Sequence, residues 1–288
     1  MRTLCFLLCF CLIPLVALAQ EQTEAVPLGH SSISSIIDAR GNSPESLLPG
    51  LAKHPELKPL FEHGPLPSVT KTYFLKRDGR NILFDSGWGS AMDKKGDTLA
   101  LLQAQGIKPD DITDIVLTHL DFDHIGGLLH NGAPAFPNAT LWVSQPEYDA
   151  WSEGKISKRP QAALELARKV MAAYRGHIKT FTFGDEILPG VTAIDARGHT
   201  PGHTAYEIRE GNDRLYILGD LIHVGKVQFA HPELSSIYDM DPEQAAQSRA
   251  RILEMIASSG AQAGGMHFEM ISPVLKRDDG GFMIREPR

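Results

Sequence analysis

The chain has 288 residues, 42% of them hydrophobic and 22% charged, with 28 basic side chains against 35 acidic ones and a formal net charge of −7. That length suffices for one large globular domain or two small ones, and the acidic balance excludes nucleic acid and anionic membrane as partners. All three cysteines, Cys5, Cys9 and Cys11, fall within the first twenty residues, so the rest of the chain is no disulfide-stapled domain and must find metal ligands among histidine and carboxylate.

Arg2 opens the chain and is followed by a nearly continuous apolar run, Leu4 to Leu18, that ends in Ala17-Leu18-Ala19. This reads as a secretory signal over residues 1–19, cleaved before Gln20, because the run is shorter than the roughly 20 residues a spanning helix needs. A periplasmic or secreted protein with no stable membrane association after cleavage is expected. Within residues 20–68, "ISSIIDA" (33–39) is a candidate first strand. The Pro-, Gly- and Leu-rich stretch after it reads as an irregular excursion long enough to serve as a flap.

From Val69 the pattern sharpens. "VTKTYFLKR" (69–77) alternates like a half-buried strand, Asp78-Gly79 is a turn, and "RNILFDSG" (80–87) returns as the second arm of a hairpin. Residues 97–105 are predicted helical, with Gly106 at the cap. "ITDIVLT" (112–118) and "ATLWVS" (139–144) are strands, and 145–152 and 160–175 helices. The second half repeats the plan, with strands at "IKTFTFG", "VTAIDARG", "TAYEIRE" and "RLYILGD", a helix over 242–259 after Asp241-Pro242, and a last strand at "AQAGGMHF" (261–268). Residues 69–288, together with 20–68, are expected to form a single α/β domain of two packed sheets with helices outside.

The chemistry concentrates in "LTHLDFDHIGGL" (117–128). His119, Asp121, Asp123 and His124 follow a buried strand, so their side chains leave the sheet edge into one small volume. The glycine pair Gly126-Gly127 lets the backbone turn closely beneath them. Further candidates stand at other strand ends: His199 and His203 in "GHTPGHT", Asp220 in "YILGD", and His267 in "GGMHF". Histidine and carboxylate without cysteine suit zinc, iron or manganese. Counting one histidine of the "GHTPGHT" loop, seven ligands exceed what one ion takes, so two divalent ions sharing a carboxylate are inferred.

"THLDFDHIGG", "GHTPGHT", "LGD" and "MHF", in that order and with "ILFDSG" upstream, resemble the metallo-β-lactamase-fold metallohydrolases over residues 69–268. The resemblance implies an αββα sandwich with a dinuclear site at one edge of the two sheets. It assigns His119, Asp121 and His203 to one ion and Asp123, His124 and His267 to the other, with Asp220 bridging and Asp85 orienting the site. The segment 219–249 is similar to the branch that holds methyl parathion hydrolase and related secreted lactonases and esterases.

This sequence departs from the family at Asp121, where a histidine is usual. Three readings stay open: Asp121 is a ligand, or it does not bind and the first site is weak, or it selects a harder ion. If it is an ionised ligand, the site is more neutral and its bridging water less acidic, so an alkaline shift of activity is expected. The implied reaction is hydrolysis of an ester-like bond (lactone, aryl ester or phosphotriester) in a small-molecule substrate by a metal-bridging hydroxide. Asp123 would also pass a proton to the leaving group. An iron-dependent oxidoreductase and a β-lactam hydrolase are the alternatives. His199 is read as a supporting loop residue, His223 as facing either substrate or structure, and Trp88, Trp142, Trp151 and Phe229 as candidate pocket walls. The sequence carries no signal for an oligomeric state.

Overall fold

The structure is a computed structural model that describes residues 22–91 and 95–285. The signal-sequence reading of 1–19 and the cysteines within it lie outside the described residues. Among the described residues the first sheet contains β1 (Thr23–Leu28), β2 (Ser31–Ser43), β3 (Leu66–Arg77), β4 (Arg80–Phe84) and β5 (Asp114–Val116). The short arms β6 (Leu129–His130) and β7 (Ala133–Pro134) pair only with each other, and β8 (Thr140–Ser144) and β9 (Ile178–Phe181) complete the first sheet in the order β1-β2-β3-β4-β5-β8-β9. The second sheet runs in chain order through β10 (Glu186–Leu188), β11 (Val191–Asp195), β12 (Thr204–Glu210), β13 (Asp213–Ile217), β14 (Gln262–Gly264), β15 (Ser272–Lys276) and β16 (Phe282–Ile284).

Period-two alternation builds the layers. On β3, Tyr73 and Leu75 face inward and meet Val191, Tyr206, Ile208, Leu215 and Ile217 of the second sheet. Phe74 between them faces outward with Ile115 and Leu141, onto helices α1 (Thr98–Ala104), α3 (Gln145–Ser152) and α4 (Gln161–Ala173). The short helix α2 (Phe122–Ile125) follows β5. On the far side, Ala205, Tyr216 and Ala263 carry Ile252, Leu253 and Ile256 of α6 (Pro242–Ser259), which follows the four-residue α5 (Gly225–Gln228). The result is the expected αββα sandwich.

Local chemistry sets the boundaries. Asp241 caps α6 by accepting from Gln244 N at 3.0 Å, Pro242 occupies its first turn, and Gly260 ends it at φ 66°. A register shift in β2 between Ile37 and Ala39 turns the Asp38 side chain out of the ladder. Asp38 then accepts from Trp88 N (2.8 Å), Thr98 N (2.9 Å) and Thr98 Oγ1 (2.6 Å), holding the start of α1 where Asp97 makes no side-chain cap.

The strand expected at 33–39 extends over Ser31–Ser43, and β1 precedes it. The excursion that follows is three 3-10 turns, Glu45–Leu47, Pro49–Lys53 and Pro55–Phe61. Pro49, Pro55 and Pro59 remove the amide donors a longer helix needs. Leu47, Leu48, Leu51 and Leu66 anchor the excursion on Val224, Val227 and Leu234.

Candidate metal centre

The parallel strands β4 and β5 end at the same sheet edge. Just past β4, Asp85 adopts φ 55°, a left-handed conformation that a non-glycine residue rarely takes. It aims a fully buried carboxylate at the segment beyond β5. Asp85 Oδ1 accepts from Thr118 N (2.8 Å), and Oδ2 accepts from Thr118 Oγ1 (2.7 Å) and lies 2.7 Å from His124 Nδ1. Beneath the cluster, a Cβ on Gly126 or Gly127 would collide with the backbone carbonyls of Trp88 and Ser86, so the glycine pair is required for this close approach.

Four imidazoles are held by Nδ1 and present Nε2 to a common centre. His119 is held by Thr118 Oγ1 (2.9 Å), His124 by Asp85, His199 by Asp239 Oδ1 (3.0 Å) and His267 by the Val69 carbonyl (3.0 Å). Asp220, in the turn after β13, stands between two groups. Its Oδ1 is 3.1 Å from His124 Nε2, and its Oδ2 is 3.0 Å from His267 Nε2, 3.4 Å from His199 Nε2 and 3.8 Å from His119 Nε2. Asp123 Oδ1 is 3.6 Å from His124 Nε2, and its Oδ2 is 3.5 Å from His267 Nε2. Asp121 Oδ2 is 3.3 Å from His119 Nε2 and 3.2 Å from His199 Nε2.

Six of the seven residues expected from the sequence therefore converge, and His203 does not. Its Nδ1 lies 2.9 Å from the Ala196 carbonyl and its Nε2 accepts from Asp220 N at 3.0 Å, so both ring nitrogens are spent on backbone. His199, expected from the sequence to be a supporting residue, brings its Nε2 to the cluster instead, 3.4 Å from Asp220 Oδ2 and 3.2 Å from Asp121 Oδ2. His203 instead props the turn that carries Asp220, against Gly219, whose φ of 56° leaves no room for a side chain.

The donors suit divalent ions. His119 Nε2, His124 Nε2 and Asp220 Oδ1 are buried without a hydrogen-bond partner, an arrangement that costs about 1–3 kcal/mol per group unless something binds them. Around a four-coordinate ion with nitrogen and oxygen ligands, donor atoms stand about 3.3–3.6 Å apart, and the separations above bracket that spacing. His119, His199 and Asp220 form one potential metal-binding group; Asp123, His124 and His267 form another.

The surrounding charges are strongly coupled. Burial pushes the Asp121 carboxyl up, but hydrogen bonds from His119, His199 and Arg159 outweigh it and hold it well below the usual range. Burial lowers His199, but Asp121 and Asp239 more than offset this and lift it to about 9. His203, with burial and the neighbouring His199 both against its charged form, is pushed down to about 3.

Three supporting residues, Glu147, Asp239 and Arg159, left no local signature in the sequence. Glu147 on α3 is buried and accepts four hydrogen bonds, from Leu120 N (3.1 Å), Trp151 Nε1 (2.7 Å), Thr200 Oγ1 (2.7 Å) and Gly202 N (2.8 Å). It ties the His119–His124 segment to the His199–His203 loop. Asp239 orients His199 and also meets Arg249 Nη2 at 3.2 Å. Arg159 grips Asp121 with two bonds, Nε to Oδ1 (2.6 Å) and Nη2 to Oδ2 (2.5 Å). The guanidinium places a countercharge directly on the carboxylate that departs from the family pattern. His223 is buried, its Nε2 lies 3.2 Å from Asp220 Oδ2, and its ring stacks on His267 at 5.2 Å. Trp151 and Phe229 are core residues, and Trp142 packs beneath Lys179. The exposed Tyr238 stands near the site instead, its ring 5.8 Å from that of His223.

A two-sheet sandwich that gathers histidines and aspartates at one edge defines a class of metal-binding hydrolase folds. The family model of the metallo-beta-lactamase superfamily matches residues 66–261, and the chain belongs to that superfamily. N-acyl homoserine lactonase AiiA of Bacillus thuringiensis subsp. kurstaki is 29% identical over 157 residues, 54% of this chain and 56% of the relative. The chain thus spans about half the length of the curated relatives it matches. Among solved structures, the hydrolase AbOPH superposes with a TM-score of 0.83 at 28% identity, covering 93% of this chain and 98% of the other. AidC, a dizinc quorum-quenching lactonase in complex with its product N-hexnoyl-L-homoserine, superposes at 0.82 with 26% identity, covering 92% and 97%.

Proposed function

We propose that this protein is a dinuclear metal-dependent hydrolase that opens lactones or related small esters. The observation that carries the reading is the cage itself. Two groups of imidazole and carboxylate donors meet at Asp220, which contacts His199 of one and His124 and His267 of the other, and three of the donor atoms have no hydrogen-bond partner. His119, His199, Asp220 and one oxygen of Asp121 would hold the first ion, and Asp123, His124, His267 and Asp220 the second. Zinc suits this donor set best. Two such ions would polarise a carbonyl oxygen and lower the pKa of water towards neutrality.

The protein's own groups supply orientation and proton transfer. Hydrolysis adds water across the acyl carbon and breaks the ring C–O bond, and the departing alkoxide takes up a proton. Asp123 is the most exposed of the cage carboxylates, at 15% against 4% for Asp220 and 10% for Asp121. It can therefore reach the leaving oxygen and relay that proton. His223 turns Nε2 to Asp220 at 3.2 Å, keeps Nδ1 without a hydrogen-bond partner and faces the ring of Tyr238 at the rim, where it can hydrogen-bond the substrate carbonyl. The lactone preference follows the relatives, AiiA and AidC, whose names give that activity.

The test pairs metal analysis with a rate screen over an acyl-homoserine lactone, an aryl ester and a phosphotriester. Two ions per chain and lactone hydrolysis, abolished by a chelator and restored by zinc, are expected. A protein loaded with two ions that hydrolyses none of the panel overturns the proposal. Iron with oxygen uptake in place of hydrolysis would put an oxidoreductase there instead.

A further inference from the structure

Asp121 and Arg159 form a unit. Both guanidinium bonds are short, and the pair is nearly buried, with side chains 10% and 6% exposed. A fork of this kind fixes the plane of the carboxylate. Each carboxylate oxygen has two lone pairs, so Oδ2 keeps one after accepting from Nη2, and that oxygen lies 3.3 Å from His119 Nε2 and 3.2 Å from His199 Nε2. Arg159 is itself held, since Nη1 donates to the Tyr238 carbonyl at 2.8 Å. The adjacent Lys158 donates to the Asp239 carbonyl at 2.8 Å. The clamp is thereby fastened to the loop that orients His199 through Asp239.

We propose that Arg159 is the positioning and charge-balancing residue of the first ion's site, resting on the binuclear reading above. Asp121, Asp123 and Asp220 give the cage three carboxylates, and the guanidinium returns it to the charge of a cage with two. The Asp121–Arg159 pair thus presents one oxygen donor at no net charge, as a neutral imidazole presents one nitrogen. The pair is exchangeable as a pair, but neither half can be replaced alone. With Asp121 gone, an unpaired buried cation faces the incoming ions. With Arg159 gone, the carboxylate loses the fork that aims Oδ2.

The test is a double-mutant cycle read by zinc affinity, from competition with a chelating indicator on stripped protein, with unfolding curves confirming that each variant is folded. Asp121→His alone is expected to weaken one of the two zinc-binding steps about tenfold or more and leave the other unchanged. Asp121→His combined with Arg159→Met removes the stranded cation and is expected to return that affinity to within about threefold of the parent. Recovery in the double variant supports the proposal, because a purely structural Arg159 would make the double variant no better than the single one. A double variant as weak as Asp121→His overturns it, as does an Asp121→His single variant that binds like the parent. Failure of the binuclear reading looks different: the parent itself would then take up fewer than two ions.

Discussion

Glu147 offers the sharpest test of how the cage is assembled. Its Oε1 serves Leu120 N and Trp151 Nε1, and its Oε2 serves Thr200 Oγ1 and Gly202 N. Glu147→Gln keeps the size and one acceptor oxygen, but places an NH2 group against two of these donors. The Thr200 hydroxyl can rotate and accept, whereas the two donors at Oε1 cannot, so the amide nitrogen will turn towards the 199–203 loop. That leaves the Gly202 N–H unpaired, at about 1–3 kcal/mol, and weakens charge-assisted bonds worth about 1.5–3 kcal/mol each. Burial, which raises the carboxyl pKa here, penalises the ion that Gln replaces and offsets part of this loss. A net destabilisation of about 2–4 kcal/mol is expected. Because the loop released is the one carrying His199, the first ion should be lost while the ion at Asp123, His124 and His267 stays. Urea unfolding gives the first quantity and elemental analysis after dialysis the second. A Glu147→Gln protein that keeps parental stability and two ions would refute the argument that this carboxylate joins the two ligand loops.

Two further outcomes follow from the geometry. His199→Ala should reduce zinc from two ions per chain to one after dialysis, while His203→Ala should retain both ions despite a stability loss of roughly 1–3 kcal/mol for its orphaned backbone partners; the reverse pattern would restore the sequence-based assignment. Lys71 is buried in β3 with Nζ on the Glu269 carbonyl at 2.7 Å, and burial lowers its pKa to about 7 from 10.5. The unfolded chain binds more protons than the folded one between those values, so this residue makes stability rise with pH across the window and exacts its full penalty below about 7. Lys71→Met should stabilise the protein at pH 6 by on the order of 1–4 kcal/mol and flatten that rise, as urea midpoints at pH 6, 8 and 10 would reveal.

The fold was legible where periodicity was strong and caps were explicit. Asp241-Pro242 opens α6, which spans 242–259 as read from the sequence, and the 69–87 hairpin lies in β3 and β4. The strands that escaped notice are short or carry proline: β1 contains Pro27, β15 contains Pro273, and β10 and β16 have three residues each. Too few residues alternate in such pieces for a period to emerge, and their neighbours in the sheet, not their own pattern, hold them extended. Asp38 shows the same limit from the other side, since a strand reading alone gives no sign that a bulge would turn one carboxylate into the cap of a helix sixty residues on.

At the site, the local cluster was readable because a strand end fixes where the next few side chains go. The exchange of His203 for His199 shows why that reasoning stops at loops. His203 immediately precedes β12, and its backbone N–H bonds to Thr200, so the ring is committed to the interior side of the loop. His199, four residues earlier, is free to be aimed by something else, and Asp239 aims it from forty residues away. The same holds for Arg159 on Asp121 and Glu147 on Gly202, separated by 38 and 55 residues. A strand end determines which residues arrive at the edge. The direction of each donor depends on partners from other elements, which become visible only once those elements have packed.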